Sequence, residues 1–134
     1  MRAGWKKQTV LALLLGVFLA GAAVAQEGVW QGQNDHPMLR TTLKDKEKNA
    51  QKHAAFVEVE TQNIGLALLG VSPFAGSDMG FLEYQVDQGP VLATSDTAVM
   101  FRNLTAGKHT ITVSLVNTDY RELGPKAVLE LEIP

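Results

Sequence analysis

The chain has 134 residues, with 12 Lys and Arg against 14 Asp and Glu and no cysteine. That length suits one small domain around a single core. The lack of thiols excludes cysteine nucleophiles, disulfide bridges and an acylated lipoprotein signal, and the slight acidic excess argues against a phosphate-backbone partner, which needs clustered cations.

Arg2, Lys6 and Lys7 precede an apolar run from Val10 to Val24, and Ala23-Val24-Ala25 before Gln26 has the small-x-small pattern of a signal-peptidase site. The run is shorter than the roughly 20 residues of a spanning helix, and Gly16 and Gly21 lie inside it. Residues 1–25 therefore read as a signal peptide cut after Ala25, which predicts a bacterial periplasmic or secreted protein that meets the membrane only before cleavage. Cleavage removes three basic residues and no acidic one, so 9 Lys and Arg then face 14 Asp and Glu, a formal charge of −5.

Residues 26–53 are polar, with Gly28, Gly32, Asn34, Asp35 and Pro37 early and the mixed run Lys44-Asp45-Lys46-Glu47-Lys48 later. Scattered Val29, Trp30, Met38 and Leu43 bury too little surface to offset ordering entropy. The expectation is a linker or loosely held arm, with a short helix allowed over about Arg40–Ala54 because Lys, Glu, Ala and Gln favour one.

From Ala54 the apolar period becomes two, the period of strands. Val57 and Val59 alternate with Phe56, Glu58 and Glu60. A less regular apolar stretch, Ile64–Val71, is broken by Gly65 and Gly70. Leu82, Tyr84 and Val86 then alternate with Phe81, Glu83 and Gln85. Asp87-Gln88-Gly89-Pro90 is a turn signal, followed by short strands at Val91–Thr94 and Ala98–Phe101. Thr105-Ala106-Gly107 leads into a long strand, Lys108–Val116, and the polar connection Asn117–Pro125 into a last one with Ala127, Leu129, Leu131 and Ile133 on one face. About seven strands with close turns predict an all-β, Ig-like or fibronectin-like antiparallel sandwich over residues 54–134.

Little in this chain has the spacing of catalytic chemistry. There is no nucleophile elbow and no glycine-rich phosphate loop. Glu58 with Glu60, and Glu130 with Glu132, each put two carboxylates on one side of a strand; solvated sheet faces look the same. His36 and His53 fall in or beside the arm. His109 shares a face with Ile111, Val113 and Leu115, so its ring points inward near a strand start. The bland role is a half-buried imidazole bonded to a backbone carbonyl. The functional one is a copper or zinc ligand, with Glu83 as the leading partner and Asp87, Met79, Met100 and Asp119 as other candidates. The loop Ser72–Gly80, carrying Pro73, Phe74 and Gly76, is a possible contact point. Asn103-Leu104-Thr105 is a formal glycosylation sequon, unused in a bacterial export route.

Over Thr61–Pro134 the chain resembles a group of small exported bacterial proteins, single Ig-like sandwiches of unknown function. The runs that carry the likeness are Gln62-Asn63-Ile64, Val71-Ser72-Pro73, Gly80 to Asp87, Leu104 to His109, and the closing Ile133-Pro134. The resemblance implies the fold and an extracytoplasmic location, and no activity. Relatives of this kind carry further histidines where this chain has Phe81 and Glu83 and near Tyr120; here only His109 remains. The expected protein is thus a monomeric, non-catalytic binding or structural module of the cell envelope with no cofactor, acting on an envelope protein or a small ligand. The alternative is a weak copper or zinc site on His109 and Glu83.

Overall fold

The computed structural model describes residues 26–67 and 79–134. The expected signal peptide, most of the Ser72–Gly80 loop and the end of the Ile64–Val71 stretch lie outside the described residues. Eight strands and one short helix follow in the order β1 Met38–Lys44, α1 Lys46–Gln51, β2 Ala55–Gln62, β3 Gly65–Leu66, β4 Met79–Val86, β5 Val91–Thr94, β6 Ala98–Phe101, β7 Gly107–Asn117 and β8 Glu122–Ile133. They form a three-stranded sheet, β1-β2-β6, and a five-stranded sheet in which β4, β7 and β8 are successive neighbours and both β3 and β5 pair with β4.

The two sheets share one core. Leu39 and Leu43 of β1 and Val57 and Val59 of β2 meet Leu82 and Tyr84 of β4, Ile111, Val113 and Leu115 of β7, and Leu129 and Leu131 of β8. These are alternate residues on each strand, so each sheet contributes one apolar face while Glu58, Thr112 and Glu130 point away. Tyr84 is fully buried and donates its hydroxyl to the Asp96 carbonyl at 2.6 Å. That bond satisfies a group whose burial otherwise costs about 1–3 kcal/mol. Removal from water holds the Tyr84 phenol far above its ordinary pKa, and Asp96 adds to the effect.

The expected polar arm is corrected over its second half. Met38–Lys44 is a strand of the smaller sheet, paired antiparallel with β2 from Met38 opposite Gln62 to Lys44 opposite Phe56. Leu39, Thr41 and Leu43 face inward and are buried. The helix is also shorter than expected: Arg40–Lys44 is strand, and α1 covers only Lys46–Gln51. Asp45 before it has φ 47° and makes no side-chain cap bond, so α1 is held by buried Ala50 and by the Asn49 side-chain Nδ2 donating to the Lys44 carbonyl at 2.8 Å.

Two further details differ from expectation. The β3–β4 pairing is parallel, so the larger sheet is mixed rather than antiparallel throughout. β8 begins at Glu122, because the connection turns tightly: the Asn117 side-chain oxygen accepts the amides of Asp119 and Arg121, both at 2.9 Å. Pro125 is accommodated where the β7–β8 register shifts between Ser114 and Val116, the kind of irregularity that tolerates proline in a strand. At the same end of β7, on its other side, Gly80 of β4 lies flat against the Val116 carbonyl, leaving no room for a Cβ.

Candidate functional site

A cluster of polar contacts is built where β4 ends and β7 begins. Antiparallel pairing sets Val86 opposite Ile111, so the next residue, Asp87, lands beside Thr110 and His109. Asp87 has φ 52°, a left-handed conformation that Asp tolerates, and the turn closes with the Gly89 amide donating to the Val86 carbonyl at 3.0 Å. The Asp87 amide donates to the Thr110 carbonyl at 2.7 Å, and Asp87 Oδ1 accepts the Thr110 amide at 2.9 Å. Oδ2 lies 2.7 Å from His109 Nδ1.

The other side of the imidazole is also engaged. His109 Nε2 lies 2.7 Å from the Thr105 carbonyl, with the Thr105 hydroxyl farther off at 3.4 Å. A carbonyl and a carboxylate both accept, so the arrangement favours the doubly protonated ring, in which both nitrogens donate. The Thr105 carbonyl, then the Asp87 carboxylate, hold its pKa above the ordinary histidine value, outweighing the opposing effect of burial. The Asp87 carboxyl is correspondingly lowered, first by the Thr110 amide and then by His109. The ring is 8% exposed while Asp87 is 46% exposed. The pair is therefore a half-wet clamp fastening the β4–β5 turn to the loop before β7.

The structure does not bring His109 and Glu83 together, which corrects that pairing. Glu83 sits opposite Ser114, five positions along β7 from His109, about 17 Å at the usual rise per residue. It also lies on the outer face, lining a small depression of about 110 Å³ with Gln85, Thr112 and Lys126. Of the other candidates only Asp87 touches His109. Met79 and Asp119 lie toward the opposite end of β7, and Met100 is on the other sheet. Among the described residues no three His, Cys, Asp or Glu side chains converge as a metal site would require.

The carboxylate pairs are surface features. Arg40 reaches both oxygens of Glu60 at 2.8 Å across the β1–β2 ladder, and its guanidinium lies 4.7 Å from the Trp30 ring centroid. Lys44 lies 3.7 Å from Glu58. Glu130 and Glu132 border a surface depression of about 360 Å³ that also takes in Lys46 and Lys108. His53 is tied down: its Nδ1 donates to the Leu104 carbonyl at 2.8 Å while the Leu104 amide donates to the His53 carbonyl at 2.9 Å.

Two features invisible in the sequence reading concern contact surfaces. On β5, Val91 and Leu92 are 53% and 44% exposed, and among the described strands β5 pairs only with β4. On the outer face of the larger sheet, Phe81 stacks on Tyr120 with centroids 5.6 Å apart, beside Met79 and Val116. Alternation assigns Phe81 to the outer face, but its partner comes from the β7–β8 turn and has no sequence signal. No family model, curated protein or solved structure matches this chain.

Proposed function

We propose that the protein is exported, cut after Ala25, and acts without catalysis as a binding module of the bacterial cell envelope, built on an Ig-like, fibronectin-like sandwich. The strand order supports the fold reading. Lettered as in Ig domains, β1, β2 and β6 correspond to strands A, B and E, and β5, β4, β7 and β8 to C′, C, F and G. His109 supports it too. A ring near the start of strand F that bonds back to a carbonyl four residues upstream does what tyrosine does at the corner of such domains.

The observation that carries the binding role is the apolar edge strand β5. Among the described residues no strand pairs with its side away from β4, so that side offers backbone donors and acceptors, and Val91 and Leu92 stand beside them. An extended segment of an envelope protein can add there as a further strand, the backbone giving affinity and the apolar side chains selectivity. The test is site-specific photo-crosslinking in the source bacterium, with the reactive residue placed at Leu92 or, as a control, at exposed Glu130. A discrete adduct from Leu92 and none from Glu130 is expected. Equal labelling from both positions, or none from Leu92, overturns the edge-strand reading.

A further inference from the structure

The segment ahead of β1 fastens the two sheets at their open side. The Gly28 amide donates to the Thr41 carbonyl at 2.6 Å, and Gln31 and Leu39 exchange two backbone bonds at 2.7 and 3.0 Å, so this segment covers the outer edge of β1. Just before it, Gln26 turns to the other sheet. Its backbone N–H donates to the Val128 carbonyl of β8 at 2.8 Å. The Val128 N–H donates in return, at 3.1 Å, to the side-chain Oε1 of Gln26.

That second bond is unusual in its acceptor. In an antiparallel ladder the return bond goes to the partner residue's own carbonyl, whereas here the side-chain amide has taken its place. The Gln26 side chain must therefore curl back until its carbonyl lies beside its own backbone nitrogen, both aimed at one residue. A five-membered lactam has that arrangement: an N–H and a C=O held cis and side by side, complementary to the N–H and C=O that Val128 presents on the edge of β8.

We propose that Gln26, freed as the first residue by cleavage after Ala25, is converted to pyroglutamate, and that the lactam docks on Val128 as the last rung of the larger sheet. The inference rests on the export reading above. The unprotonated α-amine attacks Cδ of its own side chain, the N–Cδ bond forms, the Cδ–Nε2 bond breaks, and the nitrogen leaves as ammonia after proton transfer from the amine. No oxidant or second substrate is needed. A terminal amine of ordinary pKa, near 8, is about a tenth unprotonated at neutral pH, and the docked geometry keeps it near its target, which raises the effective concentration. The product has no terminal charge at the seam, keeps both bonds to Val128, and offers aminopeptidases no free amine.

The full chain, produced in an export-competent bacterium and recovered from the envelope, is measured by intact mass and by fragmentation of its N-terminal peptide. The expected species is residues 26–134 lighter by one ammonia. Residues 26–134 with the glutamine amine intact after prolonged incubation at neutral pH overturn the cyclisation and leave the export reading standing. A chain that keeps residues 1–25, or is cut elsewhere, overturns both. Gln26→Ala, cut at the same bond, is expected to show no ammonia loss and faster hydrogen exchange at the Val128 amide; unchanged exchange there overturns the docking.

Discussion

His109 and Asp87 each stabilise the other's charged form, and their titrations bound the pH range in which the clamp holds. The His109 pKa is raised by folding, so its contribution is complete below the unfolded value near 6.5 and is lost as pH climbs through the folded value. The Asp87 pKa is lowered, so its contribution is complete above the unfolded value near 3.8 and is lost as pH falls through the folded value. Stability from this pair should be greatest between about pH 4 and 6.5. Thermal melts are expected to show Tm falling as pH rises above that window, and His109→Gln should flatten the fall. A slope unchanged in the variant would show that other groups set it. Half of the pair is wet, so salt should weaken the effect. Thr41 presents the opposite case: its hydroxyl is buried in the core with no partner among the described residues. Thr41→Val keeps the shape and removes the unsatisfied group, and a gain of about 1 kcal/mol is expected in denaturant unfolding. The clamp itself is legible once strand register is known, because Asp87 follows directly on Val86, which pairs with Ile111. The sequence without that register only makes Asp87 one of several candidates.

At the scale of elements, β1 separates what a sequence pattern carries from what it does not. The later strands present unbroken apolar faces, as in Ala127, Leu129, Leu131 and Ile133, and these were legible because period two survives in the sequence alone. The inward face of β1 reads Leu39, Thr41, Leu43, with a polar residue at its centre and a run of charges immediately after. Its strand state depends on pairing with β2 and on burial against β7 and β8, and both are non-local. Leu39 is fully buried, so Leu39→Ala should cost about 2–5 kcal/mol, read from chemical unfolding followed by circular dichroism. A smaller loss, under about 1 kcal/mol, would return the segment to the status of a surface arm. A fragment beginning at residue 54 should fail to fold, because β2 would lose its pairing on one side and the core its Leu39 and Leu43 layer. The start of β8 is obscured for a similar reason: the polar residues of the β7–β8 turn and Pro125 look like a loop until the side chain of Asn117 closes the turn.

Across the whole molecule, one core spans both sheets, so residues 26–134 should unfold in a single transition with coincident spectroscopic and calorimetric midpoints. Two separated transitions would mean that the smaller sheet melts on its own. Calorimetric titration with Cu(II) or Zn(II) is expected to show no difference between the natural chain and His109→Ala, since both ring nitrogens are already engaged by Asp87 and Thr105 and Glu83 faces away. Binding that disappears in the variant would require the clamp to open for the metal. The sequence by itself determined the β class, the positions of β2 and of β4 to β8, and the inward direction of His109, because those follow from local alternation and turn chemistry. Tertiary structure alone decided that residues 38–44 complete a sheet, that β3 runs parallel to β4, that His109 meets Asp87 rather than Glu83, and that Gln26 reaches Val128. Each of these depends on which strands become neighbours and in what register. Those pairings are fixed by burying the combined apolar faces, a property of the assembled core rather than of any one segment.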